Sequence, residues 1–183
     1  MQNGDYIVFL DSDDCLYSEQ VLQKISDVIG DSNIDIVYMG FEAYGEYVSG
    51  TFLPTEENSI LMNRINGWNY ANVWDICWKK DFLVKNNMKF IEDRYYEDFL
   101  FYIQGIFRAK SYKIAQFPTH LYFSGRLESM TTNITYKKMQ DFYYNISKLF
   151  EFFEEVTDEY KEELIEFAKQ HNDYANRLLD LIK

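Results

Sequence analysis

The sequence predicts an α/β fold, and three observations carry that prediction. An apolar run, Tyr6-Ile7-Val8-Phe9-Leu10, leads directly into Asp11-Ser12-Asp13-Asp14. A helical pattern and a second strand come next, so that strand, helix and strand alternate as in a sheet flanked by helices. Near the C-terminus two long helical patterns stand side by side. Of 183 residues, 47% are hydrophobic and 19% aromatic, enough for a core in one domain with an appendage and too much for disorder.

The first strand is short and rich in β-formers. The carboxylates after it must surface, because unpaired buried charge is too costly. Open α/β sheets bind ligands at that end of a strand. Asp, Ser and Asp are also favoured turn and N-cap residues there, so the tetrapeptide alone reads equally as a turn. Ser18 is placed to cap a helix over residues 19–29, with Val21, Leu22, Ile25, Val28 and Ile29 on one face. Gly30 ends it. Residues 34–40 read as a strand, and 43–52 continue in extended structure broken at Gly45 and Gly50.

After Pro54, residues 56–66 carry a short helical pattern, and 67–78 form an aromatic stretch containing Trp68, Tyr70, Trp74 and Trp78. Residues 79–86 predict a short helix and 88–90 an extended piece. From Glu97-Asp98 onward Phe99, Leu100, Ile103, Ile106 and Phe107 recur at helical spacing. Residues 111–115 and 119–123 read as two strands around Pro118. Helical patterns over 136–155 and 158–182, separated by Val156 and Thr157, predict an antiparallel hairpin. Its stripes, led by Phe142, Ile146 and Leu149 on one helix and Leu164, Phe167 and Leu178 on the other, read as core.

Composition narrows the partners. A formal charge of −12 disfavours nucleic acid and anionic membrane, which reward clustered Lys and Arg. Cys15 and Cys77 follow no zinc spacing and make no disulfide framework, so a reducing, intracellular setting is the simplest reading. No run has the length of a transmembrane span, and residues 1–10 lack the basic start of a signal peptide.

Two carboxylate groups carry the chemistry. Asp11 and Asp13, with one residue between them, can converge on a hard divalent cation and through it on phosphate. Glu97 and Asp98 open a helix after an acidic, aromatic turn; the helix dipole favours them without any chemistry, yet aromatic neighbours would also raise a carboxylate toward the range of a general base.

Taken in order, Phe9-Leu10-Asp11-Ser12-Asp13-Asp14, then Trp78-Lys79-Lys80-Asp81-Phe82-Leu83, then Phe90 with Tyr96-Glu97-Asp98-Phe99-Leu100-Phe101, and finally Leu121-Tyr122 with Arg126 and Ser129-Met130-Thr131 resemble the family 2 glycosyltransferases of the GT-A fold. The match runs from residue 4 to about 133. The resemblance implies the C-terminal part of a GT-A, Rossmann-like mixed sheet flanked by helices over residues 1–134, with a helical extension packed on it over 135–183.

It implies an inverting, metal-dependent transfer of a sugar from a nucleotide-diphosphate sugar to an acceptor hydroxyl on a saccharide or lipid-linked saccharide. Asp11 and Asp13 then bind the donor, Asp13 also holds Mn²⁺ or Mg²⁺, Asp98 is the catalytic base and Glu97 lies beside the acceptor. Trp78, like Trp74, could offer an apolar face to an acceptor sugar, although a Trp is more often buried core. By family habit the setting is bacterial surface polysaccharide synthesis in the cytoplasm, with room for peripheral association at the inner membrane face and for a homo-oligomer. The third metal ligand is unassigned, His120 being one option. The family's nucleotide-binding units precede the DxD strand, whereas this sequence begins at that strand, so the expectation is a metal and acceptor half that is not fully active alone.

Two other readings compete. In a haloacid-dehalogenase-like phosphatase Asp11 would be the nucleophile and Asp13 the acid and base, but that reading leaves the Trp78 and Glu97-Asp98 elements unexplained. A non-catalytic fragment would instead use an uncovered apolar face for association.

Overall fold

The computed structural model describes residues 4–46, 48–54, 72–125, 134–156 and 158–180. The expected helix over 56–66, Trp68, Tyr70, Arg126 and Ser129-Met130-Thr131 lie outside the described residues. The chain forms two compact units that interleave along the sequence. One is drawn from residues 4–54, 72–88 and 108–125; the other is drawn from 89–107 and 134–180.

The first unit is a mixed sheet with helices. Its strands are β1 (Tyr6–Val8), β2 (Cys15–Leu16), β3 (Ile36–Gly45), β4 (Gly50–Phe52), β5 (Ile76–Lys79) and β6 (Tyr112–Ser124), with helices α1 (Val21–Ile29) and α2 (Lys80–Lys85). The order is β1-β5-β3-β6-β2, and β4 pairs with β3. β5 lies antiparallel between β1 and β3, while β3 and β6 are parallel. It follows that β1, β3 and β6 all point the same way, and the loop after β1 opens at their shared carboxyl end. β2 then reverses along the end of β6, pairing Cys15 with Leu121 and Leu16 with His120.

Val21 and Ile25 of α1 are buried against Val37, Met39, Cys77 and Ala115. That apolar stripe fixes the helix on the sheet. The helix begins later than its sequence suggests: its N-cap is Gln20, and no side chain caps it. Ser18 instead uses its carbonyl to receive the Val21 N–H at 3.1 Å. The two strands expected around Pro118 are one. Proline lacks the N–H that a ladder uses, and β6 accommodates it with irregularities: Met39 pairs with Ala115, Gly40 with Pro118 and Phe41 with His120. Gly40 is required there, since a Cβ would stand 2.7 Å from the Phe52 carbonyl oxygen and 3.1 Å from that of Phe117.

At the carboxyl end of β3 the core becomes aromatic. Phe41 packs edge-on to Trp74 at 4.9 Å and stacks with Phe52 at 5.2 Å, while Trp74 stacks with Tyr122 at 5.6 Å. β5, hidden inside the aromatic stretch of the sequence, buries Ile76, Cys77 and Trp78 between its two neighbours.

The second unit is helical: α3 (Glu97–Arg108, through Phe107), α4 (Tyr136–Phe152) with a short 3₁₀ turn over Phe153–Glu155, and α5 (Asp158–Asp180). Thr135 caps α4, its hydroxyl accepting the Lys138 N–H at 3.2 Å. α4 and α5 run antiparallel, because Phe142 near the start of α4 meets Tyr174 near the end of α5, while Lys161 at the start of α5 lies over Phe153. Phe99 of α3 enters this core against Phe142, Phe167 and His171. Among the described residues no helix is long and apolar enough to cross a membrane.

Candidate functional site

The loop after β1 brings three carboxylates together. Asp11, Asp13 and Asp14 each place an oxygen within 4.8 Å of the others. The turn closes by a hydrogen bond from the Asp14 N–H to the Asp11 carbonyl at 3.1 Å. Asp11 and Asp13 are exposed, and Asp14 is half-buried. Asp14 also accepts the Phe123 N–H at 3.2 Å, which ties the loop to the end of β6. A cluster of hard oxygen donors at this spacing fits Mg²⁺ or Mn²⁺ in its chemistry. Asp14 joins the cluster although its place in the sequence signals only that it follows Asp13.

His120 has a different place from that of a metal ligand. It is 1% exposed, its Nε2 faces the Phe9 carbonyl at 3.3 Å, and its Nδ1 lies 2.7 Å from the Thr119 hydroxyl. Burial depresses the imidazole to about 4, against a smaller upward pull from the Phe9 carbonyl. With both ring nitrogens engaged in the protein, His120 braces the backbone two residues before Asp11 instead of reaching for a cation.

Trp78 is core. It is 0% exposed and donates its indole N–H to the Val73 carbonyl at 3.0 Å. Burial leaves no ring face for an acceptor sugar, and Trp74 is buried likewise.

Glu97 and Asp98 are half-buried in the first turn of α3, in the second unit. The residues before them turn sharply: Asp93 and Tyr96 have φ of 57° and 59°, a left-handed conformation that bulky side chains rarely adopt. Tyr96 packs against Phe142 at 5.1 Å, and burial raises its phenol above the usual tyrosine range. Asp11 and Asp13 thus belong to the first compact unit, and Glu97 and Asp98 to the second.

No family model and no curated protein matches the chain. Solved structures do. S. aureus TarS 1-349 in complex with UDP-GlcNAc is similar with a TM-score of 0.70 at 16% identity, over 94% of this chain and 50% of that one. TarS 1-349 in complex with UDP gives 0.68 at 18% identity over 93% and 48%, and TarS itself 0.68 at 17% over 93% and 29%. The chain thus spans about half the length of the TarS 1-349 structures it matches. The likeness shows the fold: a mixed sheet with flanking and C-terminal helices.

Proposed function

We propose that this chain carries part of a glycosyltransferase, binding a nucleotide-diphosphate sugar through Asp11 and Asp13 and transferring the sugar to an acceptor hydroxyl. The carrying observation is the carboxylate cluster at the carboxyl end of three parallel strands, in a fold shared with a protein that binds UDP-GlcNAc and UDP. Asp13 and Asp14 are the groups that would hold Mn²⁺ or Mg²⁺, with Asp11 toward the donor. The cation, when bound, neutralises charge on the departing nucleoside diphosphate. Asp98 takes the proton of the acceptor hydroxyl, whose oxygen attacks the anomeric carbon in line with the leaving diphosphate and inverts it. Glu97, its neighbour in the same helical turn, orients the acceptor. Bacterial surface polysaccharide is the acceptor class that the family resemblance favours.

Calorimetry with UDP-GlcNAc, and with GDP- and dTDP-sugars, in Mn²⁺ and in EDTA tests the reading. Metal-dependent binding that Asp13→Ala abolishes is the expected result. Turnover of p-nitrophenyl phosphate that requires Asp11 would overturn it in favour of a phosphatase.

A further inference from the structure

The turn that delivers Glu97 and Asp98 is held from outside itself. Asp141 of α4 is 0% exposed, yet its carboxylate is fully engaged. One oxygen accepts from Arg94 at 2.8 Å and from Lys137 at 2.6 Å; the other accepts the Tyr95 N–H at 3.2 Å. One helical turn on, Asn145 is also 0% exposed, and its amide nitrogen donates to the Tyr95 carbonyl at 3.2 Å and the Tyr96 carbonyl at 2.8 Å. Two side chains at i and i+4 thereby take one N–H and two carbonyls of consecutive backbone units. The Arg94 guanidinium also lies 3.7 Å over the Tyr144 ring, adding a third point of attachment to the same helix.

Stability alone does not account for this arrangement. The Asp141 carboxylate is buried while Arg94 and Lys137 keep 32% and 56% of their side chains exposed, so solvent screens the attraction that must offset the cost of burying the charge. Asn145 also leaves its amide oxygen buried with no partner in exchange for the two bonds its nitrogen makes. What the pair does supply is a fixed path for a left-handed Tyr96, the residue directly before Glu97.

We propose that Asp141 and Asn145 are positioning residues that clamp the Tyr95-Tyr96 backbone and so aim the Glu97 and Asp98 carboxylates. The proposal rests on the glycosyltransferase reading for what those carboxylates do. A reacting group displaced by about 1 Å loses up to about a hundredfold in rate, so the clamp acts on turnover and leaves donor affinity alone.

The near-isosteric variants Asp141→Asn and Asn145→Asp test it in the full chain, with Tyr143→Phe as a control on the same helix. Amide exchange of residues 95–98 is expected to quicken about tenfold in both variants and not in the control. UDP release from UDP-GlcNAc with Mn²⁺, to N-acetylglucosamine or to water, is expected to fall between about tenfold and a hundredfold, with donor binding within about twofold of wild type. The acid limb of turnover against pH should also move, which a mere loss of folded protein cannot produce. Unchanged exchange at 95–98, or quickened exchange with unchanged turnover and pH limb, overturns the positioning role. A wild-type chain that binds no nucleotide-sugar in Mn²⁺ overturns the glycosyltransferase reading instead. That result is read on the wild type, whereas the clamp is read by exchange on the variants.

Discussion

Asp11 and Asp13 stand exposed on a turn in which the Asp14 N–H bonds the Asp11 carbonyl, whereas Glu97 and Asp98 are half-buried behind a turn whose backbone two buried side chains grip. The residue types are the same and the settings are opposite. Clustered carboxylates repel one another, and water screens that repulsion until a cation replaces it. A loop built for that exchange gains from openness. A carboxylate that must meet a hydroxyl at one angle gains from restraint. On the proposed reading, a bound cation would complete the open cluster, whereas the turn before Glu97 is already held by side chains of its own unit.

The steepest loss is expected at Asp98. Asp98→Asn keeps the shape and removes the base, so turnover should fall on the order of 10³-fold with donor affinity intact. Unchanged transfer would remove the base role and leave the restraint without a purpose. Asp13→Ala addresses the other side: donor affinity in Mn²⁺ should fall about a hundredfold, and wild type in EDTA should show the same loss. If the variant binds as well as wild type, the open loop is a turn and not a cation site.

The brace behind the loop gives a pH signature. His120 sits near 4 in the folded state against 6.5 for the unfolded chain, so between those values the unfolded state binds more protons. Stability is therefore full above about 6.5 and declines as pH falls toward 4, by on the order of 3 kcal/mol. Urea titrations at both ends of that window should show the slope in wild type and lose it in His120→Asn. Asp141 acts at a lower pH. Burial would raise its carboxyl, but hydrogen bonds from Lys137, Tyr95 and Arg94 hold it below the usual range, so its contribution is present above the unfolded aspartate value and is lost as pH falls through the folded one.

The smallest effect is a labelling contrast. Cys15, one residue past the acidic loop, is exposed, whereas Cys77 is buried and its thiol is pushed up to about 12 by burial. A thiol reagent should modify Cys15 alone in the native protein, and reaction of both would mean that the sheet opens more readily than its packing implies.

Much of the fold was legible because its signals are local. The apolar run before Asp11, the periodic face of α1 and the paired stripes of α4 and α5 each survive as elements in the structure. β5 was not legible, since Ile76, Cys77 and Trp78 are buried between two neighbours and a short apolar run shows no alternation. Pro118 misled for the opposite reason, its local rule being overridden by a ladder irregularity that depends on β3. At the candidate sites the carboxylates were legible as residue types. Their supports were not. His120 beside Phe9, and Asp141 and Asn145 beside Tyr95, are separated in sequence by distances that no pattern records.

The irregularity at Pro118 also sets which way the end of β6 faces. From Ala115 to His120 the strand advances five residues while its partner advances two, from Met39 to Phe41. Three surplus residues are an odd number, and side chains alternate with a period of two. The strand therefore leaves the irregularity in inverted phase, so that even-numbered residues now take the side that odd-numbered ones held. That inversion turns His120 inward to Phe9 and Tyr122 inward to Trp74, and leaves Phe123 exposed. Removing a single residue between Ala115 and Thr119 would restore the original phase and turn the His120 brace away from Phe9.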